Sequence, residues 1–494
     1  MTYQQEHTPL FDALRQHANR EPVQFHIPGH KQGQGMDEEF RAFIGANACN
    51  IDLINIAPLD DLHQPGGVIR DTLKLAAEAF NADETFFSVQ GTSGAIMAMI
   101  MSVCKPNDKI IVPRNVHKSV MSAIIWAGAK PVFVTPVADE VYGIAHGIST
   151  RSVRKAIQRH PDAKAVLVIN PTYFGVCANL KEIVDVCHGV NIPVLVDEAH
   201  GVHLHFHDSL PVSAMDAGAD MAATSVHKLG GAMTQASVLN VRYGLINPKR
   251  VQSVFSMLHT TSTSYILLAS LDTSRRHLAL NGHERVGMAI RIAEWLREEI
   301  NKISGLTCMG KEVLISEAAF ALDPTKVLIH VHDLGMSGYD VEKWLRNHHR
   351  IEVEMSDLHN ILCIITTGDS EESGQTLLSA LKQLAEERRG YSAQTDVHLK
   401  MPGIPHLALS PRDAFYAETE SVPLKEAEGR IIAEFIMVYP PGIPILLPGE
   451  VISLENIQYI EEHLAVGLPV QGPEDPTIQM VKVIIEEEAI TEID

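Results

Sequence analysis

The sequence predicts an α/β protein built on a mostly parallel sheet, and three observations carry that prediction. Between about Asp71 and Asn240, short apolar runs rich in β-branched residues alternate with helical stretches. The runs Ile110–Val112, Val132–Val134, Val166–Ile169 and Val194–Val196 are apolar throughout instead of alternating, as expected of strands covered on both faces. The stretches between them, including Ala95–Cys104, Thr150–Gln158 and Lys181–His188, have helical character. Strands spaced by helices imply crossover connections and hence parallel pairing.

The remaining elements follow in order. Pro9–Ala18 is predicted to be a helix, followed by the glycine-rich polar loop Phe25–Met36, so residues 1–50 read as an N-terminal helix and loop segment. Residues 51–275 form the large unit. A long helix is expected over Val286–Ile303, then strands near Lys326–His332 and Ile361–Thr366, with helices at Val341–His348 and Gly374–Glu387. These make a smaller α/β unit, residues 276–390. A polar linker at Gly390–Asp396 leads into a third unit, residues 391–494, which contains the proline-rich segment Tyr439–Glu450.

Composition narrows the function classes. A chain of 494 residues, 45% apolar and 20% charged, can bury a large core without cross-links. Its six cysteines are scattered and form no C-x-x-C pair, which argues against a disulfide framework or a cysteine zinc site and suits a reducing cytoplasm. The start, MTYQQEHTPLFDALRQ, lacks the apolar core of a secretory signal, and no stretch has the apolar length of a membrane span. A net charge of −21 disfavours nucleic acid and anionic membranes as partners and suits a small cationic molecule.

Four segments of the large unit carry chemistry, and each follows a predicted strand. In ATSVHKLGGAMTQAS (Ala223–Ser237), Lys228 stands behind Ser225 and His227 and ahead of small residues. An ε-amine can form an imine with an aldehyde cofactor where its surroundings favour the neutral form. Ser225 and His227 can donate to a phosphate. A lone lysine in such a turn would be a surface residue; here it has company. In VLVDEAHGVH (Val194–His203), Asp197 closes a buried strand at the edge where open α/β sheets bind ligands. A carboxylate there can pair with a protonated pyridine nitrogen, or simply cap a helix. In SVQGTSGAIMAMIM (Ser88–Met101), a polar turn opens an apolar helix, and its N–H groups with the Thr92 and Ser93 hydroxyls make a phosphate cradle. The turn matches neither the P-loop nor the dinucleotide fingerprint. In PRNVHKS (Pro113–Ser119), His117 can stack on a cofactor ring or serve as an ordinary structural histidine.

Together with FHIPGHK, NPTYFG and YPPGIPILLPGE, these segments resemble, in order and over nearly the whole chain, the Orn/Lys/Arg decarboxylases of PLP fold type I. The S-x-H-K motif is the most specific of them. The nearest resemblance is to the shorter, Gram-positive biosynthetic branch that acts on arginine and lacks the N-terminal wing domain of longer relatives. It implies a fold type I large domain, a smaller α/β domain and a C-terminal α+β decarboxylase domain. It implies pyridoxal 5′-phosphate as cofactor, with Lys228 as the Schiff-base lysine and Asp197 on the pyridine nitrogen. His117 would stack on the ring, with Ala199 and His200 near the opposite face, while Thr92, Ser93, Ser225 and His227 hold the phosphate. The reaction implied is decarboxylation of a basic amino acid, L-arginine to agmatine and carbon dioxide for polyamine and spermidine synthesis, with lysine and ornithine as alternatives. His227 or Lys228 would return a proton to Cα. Family members are dimers with shared active sites, so Thr260–Ser264 is expected to serve the neighbouring subunit.

A guanidinium substrate requires a carboxylate or two. Asp413, Glu426, Glu434 and Glu450 in the third unit are candidates, with Glu354 and Asp357 behind them, and no spacing selects a pair. Three other readings compete. His200, His203, His205 and His207 cluster, and the last three alternate, so on a strand they would share a face and suggest a metal-dependent hydrolase. That reading leaves the lysine motif and the phosphate turn without a role. A silent cofactor-binding regulator would not need the complete set of ring, phosphate and lysine groups. An aminotransferase of this fold would hold the substrate α-carboxylate with an arginine, and none is evident.

Overall fold

A computed structural model of the chain describes residues 4–391, 402–438, 443–465 and 470–485. Residues 392–396 of the expected linker and Tyr439–Gly442 of the proline-rich segment lie outside them. The large unit is organised by a seven-stranded sheet: β1 (Glu84–Ser88), β2 (Lys109–Pro113), β3 (Lys130–Val134), β4 (Ala165–Ile169), β5 (Val194–Asp197), β6 (Met221–Thr224) and β7 (Ser237–Val241). Across the sheet the order is β1–β7–β6–β5–β4–β2–β3. The pairs from β3 through β6 are parallel, and β7 runs against both β6 and β1. The sheet is therefore mixed, with one reversed strand. The link from Thr224 to Ser237 holds only the four-residue helix Val226–Leu229, too short to cover a sheet face as a crossover helix does, and β7 returns antiparallel.

The uniformly apolar strands are explained by what covers them. Ile110, Val112, Leu167 and Leu195 face one side, against Gly91–Val103 and Lys118–Ala127, which become α2 and α3 when Pro9–Ala18 is α1. Ile111, Val166, Val168, Val194 and Val196 face the other, against α4 (Thr150–Arg159) and α5 (Leu180–His188). Each face has its own core, so no position along these strands favours a polar residue until the carboxyl edge is reached.

The long helix starts much earlier than the expected Val286. It runs from Tyr265 to Ile300 as α6, 36 residues long, with the Ser264 hydroxyl accepting from the Leu267 N–H. The polar stretch around Thr273–Arg276 disguises its first half. Asp272 and Arg275 are buried and paired at 2.7 Å. Asp272 accepts from the N–H groups of Leu10 and Phe11, and Arg275 donates to the carbonyls of Gln5 and His7. These partners come from the start of α1, so the hydrophilic residues of α6 fasten the N-terminus.

The second half of α6 packs on a four-stranded antiparallel sheet: β8 (Thr307–Cys308), β9 (Lys326–His330), β10 (Met355–Ser356) and β11 (Asn360–Ile364), in the order β8–β9–β11–β10. Helices Gly338–His349 and Glu371–Glu387 complete this core. Beyond residue 402, β12 (Thr419–Pro423) pairs with β16 (Met480–Ile484), and β13 (Ile436–Val438) lies between β14 (Ile443–Leu446) and β15 (Val470–Gln471).

One buried ion pair ties this last section to the main sheet. Arg114, directly after β2, donates to Glu450 at 2.8 Å and to the Ile445 carbonyl at 3.0 Å, with its guanidinium 4.8 Å from the Phe133 ring centre. Glu450 also accepts from the Leu447 N–H, and its side chain is fully buried. Removing one partner of such a pair leaves an uncompensated buried charge. Glu450→Ala should therefore destabilise the protein by about 3–5 kcal/mol, read as a lowered urea midpoint. A midpoint within error of wild type would contradict this account.

Candidate active site

The parallel strands deliver their last residues to a common edge, and there the predicted groups meet. Asp197 ends the central strand β5, in register with Ile169 of β4 and Ala223 of β6. It is buried and accepts from the Ala199 N–H at 3.1 Å. No cation lies within ion-pairing distance of it among the described residues. Burial raises its pKa, while His117, the Ala199 N–H and Lys228 oppose that rise. A carboxylate in that position awaits a positive partner.

Lys228 lies in the short helix after β6. Its Nζ is 2.6 Å from Nε2 of His200 and 5.9 Å from the centre of the Tyr173 ring. Burial lowers its pKa, with Lys326 pushing the same way and Asp197 and Glu354 pushing against. His200 is more strongly affected: burial, then Lys228 and Lys326, hold its imidazole well below the ordinary range. The pair is thus a lysine whose pKa burial depresses beside an imidazole held well below its ordinary range, a shift toward the form in which a lysine is nucleophilic.

The phosphate turn has the form anticipated. Gly91 opens α2 at φ +68°, a left-handed conformation that suits glycine, and a side chain there would meet open space. In the first turn, the N–H groups of Thr92 and Ser93 have no carbonyl one turn back to bond. The Thr92 hydroxyl contacts that of Ser225 and lies 2.9 Å from that of Ser237. Ser93 is half-buried in the same turn. His227 holds its Nδ1 2.9 Å from the Ala236 carbonyl, which leaves Nε2 for another partner. On the far side, the exposed His117 caps α3, its Nδ1 2.8 Å from the Ser119 hydroxyl. A turn rich in donors, a buried carboxyl group and an amine whose pKa is depressed fit a flat, charged heterocycle that carries an aldehyde and a phosphate.

Two residues of this site were not singled out from the sequence. Tyr173, in NPTYFG after β4, has its ring 4.6 Å from that of His200. Its hydroxyl donates to Glu354 at 2.6 Å. The same strand-edge rule that located Asp197 could have located Tyr173. Ser237 was quoted only as the end of a motif.

The remaining candidates are dispersed. Asp413 accepts from the Ser410 hydroxyl at the start of a helix, and Glu434 accepts from the N–H groups of Glu474 and Lys482. Glu426 is exposed in a 3₁₀ turn, and Glu450 holds Arg114. Asp357 bonds Asn360 and the His359 N–H. Of the acids named, Glu354 is the one tied to the Lys228 surroundings. The histidine cluster does not converge, because its residues form a turn and a 3₁₀ helix instead of a strand. His203 faces Asp323, His205 faces Asp216, and His207 stacks on His283. No group of three metal-capable side chains is assembled among the described residues. The shared-face hydrolase reading is thereby overturned.

Residues 8–373 match the model of the Orn/Lys/Arg decarboxylase major domain, and residues 392–467 that of the Orn/Lys/Arg decarboxylase C-terminal domain. The chain is 62% identical to an arginine decarboxylase of Halalkalibacterium halodurans, over 98% of this chain and 99% of that protein. It is 61% identical to the arginine decarboxylase of Bacillus subtilis, over 98% and 99%. Among solved structures, a Francisella novicida lysine decarboxylase superposes with a TM-score of 0.86 at 23% identity, covering 97% of this chain and 81% of that one. A Bacillus subtilis ureidoglycine–glyoxylate aminotransferase superposes on 66% of this chain and 86% of its own, with a TM-score of 0.54 at 14% identity. The architecture they share is PLP fold type I.

The neutral imidazole yields a direct expectation. In protein labelled at histidine, the ring of His200 should remain unprotonated from pH 8 down past pH 6 in NMR spectra. Its unfolded form takes a proton near pH 6.5, so this residue contributes stability above that pH and the contribution is lost as pH falls below it. An ordinary titration near pH 6.5 in the folded protein would refute the assignment.

Proposed function

This chain belongs to the Orn/Lys/Arg decarboxylase family, and from that membership we propose that it converts L-arginine to agmatine and carbon dioxide with pyridoxal 5′-phosphate as cofactor. The choice of arginine rests on the high identity to arginine decarboxylases over the full chain. The chemistry rests on one observation: a buried carboxylate without a cation, Asp197, shares a strand edge with a depressed lysine amine, Lys228.

When bound, pyridoxal phosphate supplies a sink for the electron pair left as the α-carboxylate departs. The protein residues do the rest. Asp197 would hold the positive charge of the ring nitrogen, and His117, Ala199 and His200 would bound the ring. Thr92, Ser93, Ser225 and His227 would hold the phosphate. Lys228 would supply the amine that meets the aldehyde. Of the two proton donors suggested by the sequence, Lys228 is the better placed to serve Cα. Its Nζ lies 2.6 Å from His200 Nε2, whereas the free Nε2 of His227 is assigned to the phosphate. Glu354, steered by the Tyr173 hydroxyl, is the carboxylate suited to the distal cation of the substrate.

We assign the cofactor site to residues 51–275, the small domain to 276–390 and the C-terminal domain to 391–494. The enzyme acts as a homodimer in the cytoplasm and feeds polyamine and spermidine synthesis. Val23, Phe25, Phe40 and Phe43 are exposed, and a second copy would cover them. Thr260–Ser264, exposed over Thr260–Ser262, would then reach the partner's site.

Carbon dioxide release should be fastest from arginine and slow from lysine and ornithine; equal rates on all three remove the substrate assignment. Lys228→Ala should lose both turnover and the imine absorption band, and normal turnover in that variant would sink the lysine assignment. Glu354→Gln should raise KM for arginine about tenfold or more, the loss of one charge-assisted contact, with a smaller effect on kcat. An unchanged KM would free Glu354 of this role.

A further inference from the structure

Beneath His200 lies a charged cluster that the mechanism above does not use. The ammonium of Lys326, the first residue of β9, donates to Asp323 at 2.7 Å and to the His200 carbonyl at 3.2 Å. Both charged side chains are fully buried. The second contact of Asp323 is His203, 3.0 Å away and also buried. Thr325 closes the cluster, its hydroxyl donating to Asp323 at 2.7 Å. The Asp323 N–H bonds the Gly175 carbonyl at 2.8 Å. Gly175 sits at φ +86°, and a Cβ there would come within 2.8 Å of the Lys326 stem. The cluster thus grips two segments of the large domain, the loop of His200 and the turn of Tyr173, whose rings touch.

Burying two full charges is expensive, and apolar residues of similar size often serve stability as well or better. Packing alone therefore gives little reason for this cluster. Its location gives one. We infer that Lys326 and Asp323, reaching in from the small domain, are positioning residues for the decarboxylation, fixing the His200 loop so that its ring faces the Lys228 amine. The charge of Lys326 contributes as well as its hydrogen bonds. It pushes both Lys228 and His200 toward their uncharged forms, whereas Asp323 pulls His200 the other way. The other groups facing Lys228 are Asp197 from the end of β5, Glu354 from before β10, and His117 and His200.

The inference rests on the proposed cofactor chemistry, but its first test does not. In cofactor-stripped protein, the pH dependence of Lys228 labelling by fluorodinitrobenzene, located by peptide mapping, reports the amine directly. Lys326→Met should move that titration upward, because a like charge facing the amine is removed. Asp323→Asn combined with Lys326→Met leaves no charge uncompensated, so it keeps the test available if the single variant fails to fold, and it should move the titration in the same direction by less, because the removed Asp323 opposed Lys326. In the cofactor-loaded enzyme, kcat should fall about tenfold or more in either variant, with KM for arginine changed less. Lost stability with an unshifted Lys228 titration would mean a structural brace only and would overturn the inference, as would wild-type kcat. Failure of wild-type protein to form a borohydride-reducible imine would instead remove the cofactor reading and leave the labelling comparison intact.

Discussion

A carboxylate buried without a counterion is the constraint around which this molecule is arranged. Asp197 ends a strand that is apolar on both faces and meets its first polar surroundings only at the sheet edge. Leaving it there is costly unless a cation arrives. The groups around it answer that requirement. Burial lowers the pKa of Lys228, and its amine forms no ion pair with Asp197. His117 stands nearby but is tied to Ser119. The turn at Gly91 offers the N–H groups and hydroxyls that suit an anion a short distance away. The folded chain is thus complementary to a molecule with a positive ring nitrogen at one end and a phosphate at the other.

Much of this was legible in the sequence, for a physical reason. Parallel strands buried on both faces read as uninterrupted apolar runs, and whatever polar residue ends such a run lies at the shared edge. That logic located Asp197, Lys228, Thr92 and His117 from local text alone. It failed where geometry depends on distant partners. The reversed strand β7 has the same composition as its neighbours, and only the short link after Thr224 sets its direction. The first half of α6 looked too polar for a buried helix because its partners, the backbone of residues 5–11, are far away in sequence. The alternating histidines suggested a strand, but three different elements claim them.

The acidic candidates show the same limit from the other side. A carboxylate in sequence carries no sign of what it will bind. Asp413 and Glu434 meet local donors, and Glu450 meets Arg114 across more than three hundred residues. Glu354 is oriented by a tyrosine from a different unit. An aspartate and a lysine three residues apart, such as Asp323 and Lys326, usually mark a solvated surface, and only the fold shows this pair sealed from water.

The single helix from Tyr265 to Ile300 spans roughly 54 Å at the standard rise. It is shared by two further cores, with Leu268 and Leu278 in one and Ile292 and Leu296 in the other. The helix is unbroken along that length, so the packing of the smaller sheet and that of the N-terminal segment share one rigid member. A tilt of the smaller sheet about its far end would therefore register at Ser264, where the helix begins.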